Sequence, residues 1–134
     1  MKKLLAFTIL AFMLVGCQDN SPSFEYYMQH PEKVPGKLEA CRNMADSQVS
    51  NDQSCIAAIK ARRAIGGLLA ELQASPQEYG AKIMQLQIQY ANIKEQIDKA
   101  NKQDSKQLAE LQKQAADLKY HINVYQGVIR LVGG

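Results

Sequence analysis

Apolar residues recur at helical spacing through most of the chain, most sharply from Pro76 to about Val132. There Ile83, Leu86, Tyr90, Ile93 and Ile97 are separated by 3, 4, 3 and 4 residues. Leu108, Leu111, Ala115, Leu118, Ile122, Tyr125, Ile129 and Val132 then continue as 3, 4, 3, 4, 3, 4 and 3. These are the a and d positions of two heptad blocks, and each predicts a helix whose narrow apolar seam needs a partner helix. The polar stretch Asp98 to Gln107 separates the blocks, and the step from Ile97 to Leu108 is eleven residues. One continuous helix absorbs such a step as a stutter. Alternatively, Asn101 to Asp104 form a turn and Asp104 caps a second helix that folds back antiparallel. No Gly or Pro occurs from Ala81 to Gln126, which favours the continuous helix. The partner of the seam is then the preceding helices or a second copy of the chain; in the hairpin it is the other block.

Upstream, from Phe24 to about Ser75, the periodicity is shorter. Pro31 suits the first turn of a helix running toward Met44, with Glu32 at its positive end and Val34, Leu38 and Cys41 on one face. Pro35 and Gly36 weaken that helix and are expected to end its first turn and restart it near Lys37. Ala45 to Ser54 is polar and turn-rich, and Ser50, Asn51 and Asp52 offer N-caps for the next helix. That helix carries Cys55, Ile56, Ile59, Ile65, Leu68, Leu69 and Leu72, with Gly66 and Gly67 as an expected interruption or kink. Ser75 and Pro76 read as a break, or as the cap and first residue of a further helix. The fold expected is all-α: a helical hairpin over 24–75, followed by a coiled-coil-like extension over 76–134.

The N-terminus follows a different pattern. After Met1, Lys2 and Lys3, the run Leu4 to Val15 carries no charge, and polar Gln18, Asp19, Asn20 and Ser21 follow Cys17. A basic start and a short apolar run ending at a small residue is the layout of a secretory signal. About a dozen apolar residues fall short of the roughly 20 that a membrane-spanning helix needs. Leu14, Val15, Gly16 and Cys17 resemble the lipobox of bacterial lipoproteins, in which the Cys is acylated and the chain is cut just before it. Residues 1–16 are then a signal peptide, Cys17 carries the lipid, and 17–23 is a flexible tether. Gln18 directly after Cys17 leans toward the outer membrane over the inner one, on the periplasmic side.

Secretion changes the rest of the reading. Of the 134 residues 118 remain, enough for one domain, and loss of Lys2 and Lys3 leaves fourteen bases against thirteen acids in place of a formal charge of +3. That balance implies no nucleic-acid partner. In an oxidising compartment cysteines pair, and with Cys17 acylated Cys41 and Cys55 remain as one disulfide; two free thiols or a metal pair is the alternative. The disulfide joins the end of one helix to the start of the next.

Chemistry is sparse. GxSxG, HExxH, a Gly-rich phosphate loop and CxxC are all absent from the sequence, and His30 and His121 lie far from each other. No metal site, no cofactor beyond the covalent lipid and no enzymatic activity is expected. Glu71, Glu78, Glu95, Glu110 and Asp117 read as solvated helix-surface charges. Lys60, Arg62 and Arg63 form the densest basic cluster, read first as a solvated face and second as a contact for anionic head groups.

From Glu25 to Ala64 the order Tyr26, Tyr27, His30, Pro31, Glu32, Leu38, Cys41, Asn51, Asp52, Cys55, Ile56 and Ala58 resembles the EexN family of entry exclusion lipoproteins, encoded by conjugative plasmids and related mobile elements. In that family a Tyr-Tyr and His-Pro-Glu stretch follows the lipidated Cys, and a Cys pair follows at about this separation. The resemblance covers about forty mature residues and the lipobox. It departs at Pro35 and Gly36, where the family continues a plain helix, and in the heptad extension beyond Ser75. It implies a protein that makes its cell a poor recipient for a related element by binding or blocking the incoming mating or type IV secretion machinery. Tyr26, Tyr27, His30, Pro31 and Glu32 are then the candidate recognition or folding motif, with Cys41 and Cys55 as the staple. A competing reading is a structural envelope lipoprotein, a coiled-coil spacer or secretion-complex scaffold. It would self-associate through the heptads, and about 55 continuous helical residues would reach roughly 80 Å.

Overall fold

The computed structural model describes residues 21–100 and 104–133. The expected signal peptide and lipobox with Cys17, most of the expected tether and residues 101–103 lie outside the described residues. Among those described the fold is all-helical: α1 (Phe24–Gln29), a 3-10 turn (Pro31–Lys33), α2 (Val34–Arg42), α3 (Asp46–Val49), α4 (Gln53–Ala74), α5 (Pro76–Lys99) and α6 (Ser105–Leu131).

Local chemistry sets most of the boundaries. Ser23 starts α1 by accepting the Tyr26 N–H at its Oγ, 3.2 Å away. The helix stops at His30, whose φ of −124° and ψ of 60° leave the helical region before Pro31, as the residue preceding a proline is pushed to do. The helix expected from Pro31 toward Met44 therefore divides into a 3-10 turn and α2. Pro35 and Gly36 neither end nor restart it, because Pro35 lies in the first turn of α2, where its missing N–H costs nothing. The polar stretch after Met44 includes one helical turn, α3, in which the Gln48 side chain accepts the Ala45 N–H.

Asp52 caps α4 by accepting the Cys55 N–H at 2.8 Å. That backbone hydrogen bond, with Lys37 3.4 Å away as a lesser influence, holds its carboxyl below the ordinary range. The expected interruption at Gly66 and Gly67 does not occur, and α4 runs unbroken through both. A glycine in a helix interior costs roughly 1 kcal/mol. Buried Ala61 and Ile65, with Leu68, Leu69 and Leu72 packed against the core, outweigh it. Ser75 caps α5 and Pro76 is its first residue; Asp104 caps α6 by accepting the Gln107 N–H at 3.0 Å.

The continuous helix across 76–132 is corrected to a hairpin. The Tyr79 ring packs against the Tyr125 ring, Leu86 lines a cleft with His121 and Tyr125, and Ile93 lines one with Gln114 and Leu118, so α5 and α6 run antiparallel. Folding back puts seam against seam and covers much of both within one chain, whereas a straight helix leaves both in water. The seam's partner is thus the other heptad block. The 24 residues of α5 reach about 36 Å at ~1.5 Å each, less than half the span of a continuous helix.

One hydrophobic cluster joins the chain on both sides of Ser75. Tyr27, Met28, Val34, Ala57, Ala58, Ala61 and Ile65 pack together with Tyr79, Ile83, Val124 and Val128. Along α5 beyond Ile83, and in α6 before Ala115, the seam residues are half-buried. Here the hairpin continues past the core as an arm two helices thick, and Met84 and Ile88 stay exposed on α5. Among the described residues no helix is long and apolar enough to cross a membrane.

Candidate functional site

The disulfide forms between Cys41, near the end of α2, and Cys55, in the first turn of α4, with their Cα atoms 5.9 Å apart. Both residues are buried. The closed loop holds Asp46–Val49, and the Lys37 ammonium on α2 meets the Asp52 carboxylate beside the bridge. The hairpin expected from the cysteine positions is therefore held at one end by a covalent bond, an ion pair and a helix cap.

The five motif residues separate into two groups. Tyr27 is 3 % exposed, and its hydroxyl shares a 2.9 Å hydrogen bond with the Ser54 hydroxyl, tying α1 to α4. Pro31 is also buried. It rests on Gly127 of α6, where an added Cβ would lie 3.1 Å from the proline Cδ. Tyr27 and Pro31 thus fasten the motif to the body.

Tyr26, His30 and Glu32 remain at the surface. The Tyr26 and His30 rings lie 4.7 Å apart by centroid, and His30 Nδ1 is 3.6 Å from a Glu32 carboxylate oxygen. Tyr26 also meets the edge of Tyr27 at 5.5 Å, so a buried ring fixes the exposed one. Asn123 of α6 donates to the Gln29 side-chain carbonyl at 3.1 Å, holding the helix that carries the motif from its other side. The result is a small, rigid aromatic and polar face. Among the described residues no group of three His, Cys, Asp or Glu side chains is placed to hold a metal ion.

Ser54, Asn123 and Gly127 belong to this arrangement and were not singled out by sequence reasoning. Only Gly127 leaves a trace there, as the single glycine within α6. Replacing it with Val forces Pro31 outward and is expected to lower stability by about 1–3 kcal/mol in denaturant unfolding. An unchanged midpoint would show that the contact with Pro31 yields freely.

Comparison with protein-family models, with curated proteins and with solved structures returns no match.

Proposed function

We propose that the protein is an entry exclusion lipoprotein, acting by recognition and blocking, with no reaction catalysed. A cell displaying it becomes a poor recipient for a related conjugative element because the protein binds a component of the incoming type IV secretion or mating machinery. The observation that carries this reading is the order of lipobox, Tyr-Tyr, His-Pro-Glu and cysteine pair. It is supported by the presentation of Tyr26, His30 and Glu32 as one exposed face on a stapled base. Aromatic residues anchored from behind are suited to protein contacts, since they bring large area at little entropic cost.

The test is conjugation frequency into recipients expressing the wild-type protein, a Cys17→Ser form, a Tyr26→Ala, His30→Ala form, or none, from donors with a related or an unrelated element. Tyr27 is kept, because its loss would open the core and confuse folding with recognition. Wild-type protein is expected to lower transfer strongly from the related donor alone. The Cys17 and the Tyr26/His30 variants are expected to restore transfer, the second at unchanged stability, since surface substitutions shift it by less than about 0.5 kcal/mol. Full exclusion by the Tyr26/His30 variant would sink the recognition face.

The second reading, an envelope spacer or scaffold, draws on the two-helix arm, which no packing demand of the core explains. Shortening the arm by equal pieces, 87–100 and 104–117, leaves Tyr79, Ile83 and Ile122 in place. Exclusion that survives this deletion supports the motif face; exclusion that fails with a folded base favours the scaffold.

A further inference from the structure

We propose that the face of α4 carrying Lys60 and Arg63, next to the start of α1, lies against the membrane and binds anionic lipid head groups. This rests on the lipid anchor in the reading above and adds a second, electrostatic contact to it. Ser21, Pro22, Ser23 and Phe24 line a cleft of about 310 Å³ with Gln53, Ile56, Ala57 and Lys60 of α4. Tyr27 meets Ser54 while Phe24 lies near Ala57 and Lys60, so α1 packs antiparallel to α4. The last residues of the tether, Ser21 to Ser23, therefore share a cleft with Lys60 of α4.

Four peptide steps separate Ser21 from Cys17, and at full extension they span at most about 14 Å. A lipid on Cys17 thus keeps this end of the molecule within that distance of the head groups. Gln53, Ile56, Lys60 and Arg63 follow one another at steps of 3, 4 and 3, one face of a helix, and Lys60 and Arg63 are both exposed. Arg62, by contrast, lines a cleft with Leu38, Arg42 and Asp46 on the α2 and α3 side. The basic cluster that reads in sequence as a single patch is therefore divided by the fold, and two of its members are directed to the tether side. Asp19 of the tether lies outside the described residues; on α1, the Glu25 carboxylate accepts a hydrogen bond from Ser23 and lies beside Tyr120 of α6.

Each basic side chain held at an anionic surface strengthens the contact by roughly fivefold. The acylated, full mature protein, placed in vesicles of phosphatidylcholine alone or with phosphatidylglycerol, is treated with an amine-acylating reagent, and labelling of Lys60 and Lys106 is read by mass spectrometry. Lys106, at the start of α6 on the far end of the arm, is the control. The expected result is labelling of Lys60 at least about fivefold slower in the phosphatidylglycerol vesicles, with Lys106 unchanged. Arg63→Gln is expected to recover part of the difference. Equal labelling of Lys60 in both vesicles, on protein whose intact mass carries the acyl chains, would overturn the head-group contact and leave the anchor standing. An intact mass without acyl chains would overturn anchor and contact together.

Discussion

Tyr79→Ala lowers the stability of the protein by about 3–5 kcal/mol, the range for truncating a buried aromatic side chain. Tyr79 is fully buried in the cluster shared by α1, α4, α5 and α6, packs at a tilt against the Tyr125 ring with centroids 4.9 Å apart, and donates its hydroxyl to the Tyr125 carbonyl at 3.3 Å. Removing the ring takes the wedge out of the place where the hairpin joins the base. Tyr79→Phe keeps the ring and loses one hydrogen bond, at a cost of about 1 kcal/mol. Denaturant unfolding followed by circular dichroism separates the two. If Tyr79→Ala produced two transitions, with the 24–75 base unaffected, the shared core would be wrong.

The same residue makes stability fall in alkali. Burial, then the neighbouring Tyr125 and Glu71, push the Tyr79 hydroxyl well above its ordinary 10.0. The unfolded chain ionises there while the folded chain resists. The contribution is therefore whole below about pH 10 and lost as pH rises beyond it. Tyr79→Phe is expected to lose stability less steeply over that range.

Cys41→Ser together with Cys55→Ser is expected to cost about 3 kcal/mol, measured as the difference in unfolding free energy between the variant and the wild-type protein. The bridge spans a sequence separation of 14, and a loop of that size is worth roughly this much through restriction of the unfolded chain. α2 is only nine residues long and isolated helices of that length are marginal in water, so its docking on α4 relies on the bridge. Loss of exclusion with this variant would follow from loss of the hairpin, and Lys37 and Asp52 alone would not hold it. A single half-buried ion pair that water still reaches contributes about 1 kcal/mol. A variant as stable as the wild type would assign the hairpin's stability to burial of Tyr27, Val34 and Ala58 instead.

What could be read from sequence here was local. Asp52 and Ser75 with Pro76 mark helix starts because a cap needs only its own three following residues, and each is found in that role. The heptads announce the α5 and α6 seams because periodicity is a property of a single helix. Gly66 and Gly67 misled because a propensity of about 1 kcal/mol is small beside the burial of Ala61 and Ile65 on the opposite side. α1, at six residues, is too short to show a period, and its existence depends on Tyr27 and Met28 finding a core to enter.

Sequence alone established that the chain is helical, where α4 and α5 begin, that two cysteines lie a short loop apart, and that two apolar seams need covering. It did not determine whether those seams lie in one helix or two. An eleven-residue step without Gly or Pro favours a stutter, and what overrides it is the burial gained when Tyr79 meets Tyr125, a contact between residues 46 apart. Nor did it separate Tyr27 and Pro31 from Tyr26, His30 and Glu32, neighbours in one short motif. Which of them is buried is decided by Ser54 on α4 and Gly127 on α6, because burial depends on what approaches a side chain from elsewhere in the fold.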